Sequence, residues 1–175
     1  MINNEYACEL SLDLDYELLT QIALSSNSES DLHGHWQRKV IHYEYLKSLQ
    51  SKYTILGNLW NVYTFRPNSG LDPHIDAKRL TTLNIPIEGT EESITRFYKL
   101  SENSNKEFIP TKVLYSIEQL GPEVFNFVLL KPTLINTAIP HSALAGSVTR
   151  HIISWSIPIL SFDEAKAYFK SMGVC

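Results

Sequence analysis

The first part of the chain carries apolar positions at helical spacing. Residues 13–24 place Leu14, Leu18 and Ile22 at positions i, i+4 and i+8, which predicts a helix with one buried face. Residues 36–49 repeat this spacing and predict a second helix after a polar break. We therefore expect a helical N-terminal support over residues 1–52.

From residue 53 onward the pattern changes to short runs of β-branched and aromatic residues. Examples of these runs are TILGNLWNVYTF, SITRFYKL, VFNFVLL and SVTRHIISWSIPI, and turn residues such as Gly121-Pro122 separate them. Many strands without helices between them favour an antiparallel sandwich or jelly roll over a parallel α/β sheet. We predict a core of seven or eight strands over residues 53–160, a short closing helix within residues 161–175, and one domain for residues 1–175.

Composition narrows the class of protein. The 175 residues suffice to bury a substantial core, and the net charge of −4 gives no strong signal for nucleic-acid binding. The N-terminus is acidic and predicts no signal peptide. The sequence contains no run of about 18 apolar residues, so we expect no membrane-spanning helix. Cys8 and Cys175 lie at opposite ends of the sequence and form no C-x-x-C pair. We therefore expect no disulfide framework and a cytoplasmic, reducing location.

Candidate chemistry begins at the segment Asp72-Pro73-His74-Ile75-Asp76. In a strand, side chains two residues apart face the same side, so His74 and Asp76 project together. An imidazole and a carboxylate on one face supply two ligands to a divalent metal. A second histidine from a distant strand would complete a facial triad with three open positions. His141, which follows an apolar strand, is our candidate for that ligand.

Arg150 lies nine residues after His141 and opens the run RHIISWSIP. In a strand, Arg150 shares one face with Ile152, Ser154 and Ser156. An arginine inside a β-barrel is costly unless an anion meets it, and its planar fork suits a carboxylate. We therefore predict that Arg150 binds an anionic group inside the barrel.

The order H-x-D, distant His, then Arg resembles the Fe(II)/2-oxoglutarate-dependent oxygenase superfamily. The segments PHIDAKRLTTLNIPI, NTAIPHSA and RHIISWS are most similar to its small aspartyl/asparaginyl-hydroxylase-like and prolyl-hydroxylase-like members. The resemblance, over residues 54–158, implies a mainly β fold: a double-stranded β-helix (jelly roll, cupin-like) with flanking N-terminal helices and a short C-terminal helix. It also implies a dioxygenase that hydroxylates a C–H bond of an amino acid, a protein side chain or a small metabolite.

The same resemblance implies the cofactors and the residues that bind them. Fe(II) would bind His74, Asp76 and His141, 2-oxoglutarate would be the co-substrate, and O2 would be the oxidant. Arg150 would bind the distal carboxylate of 2-oxoglutarate. Three further residues are candidates for hydrogen bonds to the co-substrate: Tyr63, Asn84 and Ser154. The chain departs from the family at Ile152, where a serine is frequent, and at Asn84, where the related subfamily often has histidine.

Two other interpretations stay open. A cupin-like metalloenzyme that does not use 2-oxoglutarate usually recruits more histidines. A catalytically inactive β-helix that serves as a binding module should have lost at least one member of the triad. His33 and His35, in a polar linker, are predicted to have capping or surface roles. Lys78 and Arg79, just after the H-x-D motif, fit either contact with an anionic substrate or a solvated strand end.

Overall fold

The computed structural model describes residues 1–25, 29–30, 36–40, 44–57, 60–76, 79–101, 107–109, 112–114, 120–157 and 159–175. Within these residues the helices are α1 (Tyr16–Ser25), α2 (Glu44–Lys52) and α3 (Phe162–Ser171). The strands are β1 (Ala7–Glu9), β2 (Glu29–Ser30), β3 (Trp36–Val40), β4 (Trp60–Phe65), β5 (Gly70–Asp76), β6 (Thr81–Glu88), β7 (Ile94–Leu100), β8 (Glu107–Ile109), β9 (Lys112–Leu114), β10 (Leu120–Val128), β11 (Thr133–Asn136), β12 (His141–Leu144) and β13 (Arg150–Ile157). No described helix is long and apolar enough to span a membrane.

The strands form two antiparallel sheets. Sheet A has the order β1-β11-β6-β13-β4-β3-β2, and sheet B has the order β10-β7-β12-β5-β9-β8. Strands β4, β6, β11 and β13 of sheet A alternate along the chain with β5, β7, β10 and β12 of sheet B, except that β7 and β10 are both in sheet B. Because the chain crosses between the sheets after nearly every strand, these eight strands wind into a double-stranded β-helix. The predicted fold class, with its N-terminal and C-terminal helices, is confirmed.

Sheet A is covered on both faces, and β13 shows how its sequence allows this. Ile153 and Trp155 belong to the larger core cluster, which includes residues of all three helices. Ile152 points to the other side and packs with Phe65 and Phe97, between the two sheets. A strand that meets apolar layers on both faces reads as a nearly continuous hydrophobic run. This explains the segment IISWSI better than simple alternation does.

The closing helix is confirmed at nearly its predicted position. Ser161 caps α3: its hydroxyl accepts a hydrogen bond from the backbone N–H of Glu164, and the Glu164 carboxylate accepts one from the backbone N–H of Ser161. This reciprocal arrangement satisfies backbone donors that the first turn of a helix leaves free. Phe162 and Phe169 lie on the apolar side of α3 and pack into the core that covers sheet A.

The predicted helix over residues 36–49 is wrong in its first part. Trp36–Val40 is strand β3, which pairs antiparallel with β4, and the helix begins only at Glu44. Strands β1 and β2 also join sheet A, so residues 1–52 are not only helical. The spacing of apolar residues in a short window carries no information about the edge of β4 with which residues 36–40 pair. Such pairing overrides the local preference of a segment for helix. The assignment of residues 1–175 to one domain stays a prediction.

Cys8 and Cys175 form a disulfide that joins β1 to the last residue of the chain. The expectation that these cysteines stay unpaired is therefore wrong. Folding brings the two segments side by side, and the backbone N–H of Ser11 donates to the carbonyl of Val174 at 2.7 Å. Disulfides persist in oxidising compartments. The cysteines thus no longer support a cytoplasmic location, which stays a prediction.

We expect replacement of Cys175 by serine to lower the midpoint of thermal unfolding. The disulfide links residues separated by 167 positions, and a typical disulfide stabilises a fold by about 2–4 kcal/mol. For a chain of this size that corresponds to roughly 4–16 °C. Calorimetry with and without a reducing agent measures the difference. The reduced natural protein should match the variant, and equal midpoints for all samples would contradict the prediction.

Candidate metal centre and anion pocket

Three potential metal ligands converge from two neighbouring strands of sheet B. His74 and Asp76 lie two residues apart on β5 and face the same side, and His141 begins β12 directly opposite His74 in the strand register. All three side chains are buried. One ligand atom of each lies within 4.8 Å of the others. The three residues can therefore hold one metal ion together.

Backbone carbonyls orient both imidazole rings. The Nδ1 atom of His74 lies 2.7 Å from the carbonyl oxygen of Asp72, and that of His141 lies 2.9 Å from the carbonyl oxygen of Ile139. A carbonyl can only accept, so each Nδ1 carries the hydrogen, and Nε2 of the neutral ring is the unprotonated nitrogen. Metal-binding histidines commonly have this second contact, which sets the tautomer and the ring orientation.

Asp76 completes the donor set with one oxygen. Its Oδ2 lies 2.7 Å from Nη2 of Arg79, while Oδ1 is buried and has no hydrogen-bond partner among the described residues. Oδ1 lies 3.7 Å from Nε2 of His74. A buried carboxylate oxygen without a partner is costly, and a cation at this position would remove the cost. Two imidazole nitrogens and one carboxylate oxygen fit a non-haem Fe(II) site.

Arg150 lies in the opposite wall, at the start of β13 in sheet A. Its side chain is 1% exposed, and its Nε and Nη1 have no hydrogen-bond partner among the described residues. The guanidinium lies 5.3 Å from the centre of the Phe65 ring. Burial lowers the pKa of Arg150 to about 10, so the group is still a cation at neutral pH. This wall of the cavity thus presents positive charge and free N–H donors, which suit a carboxylate.

A cavity of about 60 Å³ separates the two walls, which is room for several water molecules. Asn84 and Ser154 face each other across the β6–β13 pair, and Oδ1 of Asn84 is buried without a partner among the described residues. All seven residues singled out in the sequence line this cavity: Tyr63, His74, Asp76, Asn84, His141, Arg150 and Ser154. Their roles as metal and co-substrate ligands stay predictions.

Arg79 is a site residue whose position the sequence left undecided. Its side chain lines the cavity, bound to Asp76 and with Nη1 3.5 Å from Oγ of Ser156. Burial works against the charge of Arg79, but attraction to Asp76 and Tyr63 and hydrogen bonds with both outweigh it and raise its pKa. The i, i+3 spacing from Asp76 was visible in the sequence. The contact itself was not, and Lys78, His33 and His35 lie outside the described residues.

Comparison with known proteins adds information about the fold. No protein-family model matches the sequence, and no curated protein matches it. The structure of ycfD from E. coli is similar, with a TM-score of 0.53 and 12% identity over 88% of this chain and 50% of ycfD. A prolyl-4-hydroxylase from Pseudomonas putida has a TM-score of 0.52 and 12% identity over 87% of this chain and 92% of that protein. HygX from Streptomyces hygroscopicus, solved with nickel and 2-oxoglutarate, has a TM-score of 0.49 and 10% identity over 80% of this chain and 76% of HygX.

The likenesses to ycfD and to the prolyl-4-hydroxylase agree with the architecture of the fold. The chain spans half the length of ycfD and nearly the whole of the prolyl-4-hydroxylase. Both alignments cover most of this chain, so the three proteins share the overall fold. One fold hosts many activities, and the chemistry of the site has to be argued from its own residues.

We expect Arg150→Met to stabilise the ligand-free protein. Burial lowers the pKa of Arg150 from its ordinary value to about 10 in the fold, a penalty of roughly 3 kcal/mol for keeping the buried cation. Folded and unfolded states are both protonated below pH 10, so the penalty is constant at neutral pH. It is relieved only as the pH rises through 10, where the folded state loses its proton first.

Urea denaturation at pH 7, without metal or ligand, measures this effect. The variant should gain about 1–3 kcal/mol, because an apolar side chain of similar length replaces a buried charge. Arg96→Met is the matched control, since Arg96 of β7 forms a partly exposed ion pair with Glu123 of β10. It should change the free energy of unfolding by less than about 1 kcal/mol. A loss of stability in Arg150→Met would contradict the prediction.

Proposed function

We propose that the protein is an Fe(II)- and 2-oxoglutarate-dependent dioxygenase that hydroxylates a C–H bond. The observation that carries this proposal is the pairing of two unsatisfied groups in one buried cavity. Among the described residues, Oδ1 of Asp76, beside two oriented histidines, has no hydrogen-bond partner, and Nε and Nη1 of Arg150 have no acceptor. A metal ion and a carboxylate-bearing co-substrate would satisfy both groups at once.

Each residue has a defined task in this proposal. Fe(II), 2-oxoglutarate and O2 together supply the oxidising chemistry for an unactivated C–H bond. His74, Asp76 and His141 hold the metal on one face and leave its other face toward the cavity. Arg150 binds the distal carboxylate of the co-substrate, as its buried planar fork allows. The polar groups of Tyr63, Asn84 and Ser154 line the same cavity and add hydrogen bonds to the co-substrate.

Sheet A supports the proposed co-substrate pocket through its two different faces. Val62, Leu83 and Trp155 pack toward the helices, in the larger core cluster. Their strand neighbours Tyr63, Asn84 and Ser154 face the cavity instead. Polar side chains on an inward face reduce packing stability, and they are expected where a fold has to bind a polar ligand. This favours a small anionic co-substrate between the sheets over a purely structural core.

Two observations weigh against the other interpretations. A cupin-like metalloenzyme without 2-oxoglutarate would have no role for the N–H groups of buried Arg150 that have no partner within the described part of the chain. An inactive binding module would not need to keep both the cluster of His74, Asp76 and His141 and the opposing cation. The name of the similar prolyl-4-hydroxylase also lends support to a hydroxylase. The C–H bond attacked can belong to a free amino acid, a protein side chain or a small metabolite.

The proposal predicts that anaerobic Fe(II) and 2-oxoglutarate together produce a visible metal-to-ligand charge-transfer band. His74→Ala, Asp76→Ala and His141→Ala should each abolish the band, because each removes one of three ligands. His151→Ala is the matched control. His151 follows Arg150 on β13, forms a hydrogen bond with Thr64 of β4, and does not line the cavity. It should keep the band.

A screen for succinate release across amino acids, peptides and cell extract then identifies the substrate. The natural protein should release succinate with the correct substrate, and the three ligand variants should not. A charge-transfer band that persists in Asp76→Ala would contradict the assignment of Asp76 as a metal ligand. If no band forms in the natural protein, a metalloenzyme without 2-oxoglutarate or a binding module becomes the better interpretation.

For Arg150 we expect a specific loss of co-substrate affinity. Removal of one partner of a buried, hydrogen-bonded charge pair costs about 2–5 kcal/mol, which is on the order of 30-fold or more in Kd. Titration of the Fe(II)-loaded Arg150→Ala protein with 2-oxoglutarate, followed by the charge-transfer band, measures this. Arg96→Ala should leave the Kd unchanged. An unchanged Kd in Arg150→Ala would show that another group anchors the co-substrate.

A further inference from the structure

The two oxygens of Asp76 have different surroundings. Oδ2 lies 2.7 Å from Nη2 of Arg79, in an ion pair whose carboxylate is 3% exposed. Oδ1, on the side of His74, has no hydrogen-bond partner among the described residues. A charge-assisted hydrogen bond of this length is short and directional. One oxygen of the carboxylate is thus engaged and the other is left for a cation.

The backbone fixes Arg79 relative to Asp76. The hydroxyl of Thr137 donates to the carbonyl of Arg79 at 2.8 Å, and its backbone N–H donates to the carbonyl of Leu80 at 3.1 Å. The carbonyl of Thr137 accepts from the backbone N–H of Asp76 at 3.1 Å. One residue between β11 and β12 therefore holds both members of the ion pair. The ion pair of Arg79 with Asp76 therefore depends on these backbone hydrogen bonds as well as on the Arg79 side chain.

From this arrangement we infer that Arg79 is a positioning residue, which makes Asp76 bind the metal through Oδ1 alone. The inference rests on the proposed function. A free carboxylate can bind a metal through both oxygens, and that would occupy a position needed by the co-substrate. Because Arg79 engages Oδ2, only Oδ1 is available. Arg79 thereby keeps three coordination positions open.

Charge and orientation act in opposite directions on metal affinity. The guanidinium of Arg79 repels a divalent cation, so its removal alone would tighten metal binding. Its hydrogen bond to Oδ2 orients the ligand, and loss of such a contact typically weakens metal binding about 10- to 100-fold. Asp76 lies between the two cations and offsets much of the repulsion. The orientation effect therefore dominates.

The test is a titration of the metal-free protein with Co(II) alone, followed by its visible d–d bands. Arg79→Met should raise the Kd for Co(II) about 10- to 100-fold, and its bands should differ from those of the natural protein because both oxygens of Asp76 become available. Arg79→Lys keeps a cationic donor and should recover most of the affinity. Arg96→Met removes a carboxylate-paired arginine away from the cavity and should change neither the Kd nor the bands.

The outcomes separate this inference from the proposed function. If the natural protein binds Co(II) and Arg79→Met binds it as tightly, with the same bands, Arg79 does not position Asp76, and the proposed function stands. If the natural protein binds no Co(II), the proposed metal centre fails, and the role of Arg79 fails with it. Should circular dichroism show that Arg79→Met is unfolded, Arg79→Gln takes its place. The glutamine side chain is too short to keep the contact, so the same loss is expected.

Discussion

The antiparallel pairing of β5 with β12 is the interaction on which the candidate site depends. It places His141 directly opposite His74, although 66 residues separate them in the sequence, and it brings Asp76 within reach of both. His141 is paired on its other side with Phe97 of β7, so β12 is held from both edges. A slip of one residue in this register would turn the imidazole of His141 to the outer face of sheet B.

The second constraint is electrostatic, because the cavity contains charged atoms of Asp76 and Arg150 that no other described residue satisfies. Buried Arg150 and the free oxygen of Asp76 both lower the stability of the ligand-free fold. The helices compensate, since their apolar faces and the outer face of sheet A form one large cluster that includes Trp155 and Phe169. Stability and function are thus divided between the two faces of the same strands, which is a common arrangement around binding sites.

Hydrogen bonds to backbone groups position the residues of the site. Thr137 bonds the backbone of Asp76, Arg79 and Leu80, and the carbonyls of Asp72 and Ile139 hold the rings of the two histidines. The two histidine contacts join each candidate ligand to the main chain rather than to another mobile side chain. Groups positioned in this way need little rearrangement when a ligand arrives, which is the condition for a preorganised site.

The sequence by itself determined which side chains share a face. The two-residue period of a strand is local, so DPHID placed His74 with Asp76, and RHIISWS placed Arg150 with Ser154. The strand-rich character of residues 53–160 and the closing helix also followed from local patterns. Only the tertiary structure decided four other features: strand β3 in place of a helix, the Cys8–Cys175 disulfide, the contact of Arg79 with Asp76, and the meeting of both walls at one cavity. Strand β3, the disulfide and the cavity each depend on a partner distant in sequence, and the contact of Arg79 with Asp76 depends on distant Thr137, which bonds the backbone of both residues. Sheet pairing and packing set the positions of these partners and leave no trace in a local window.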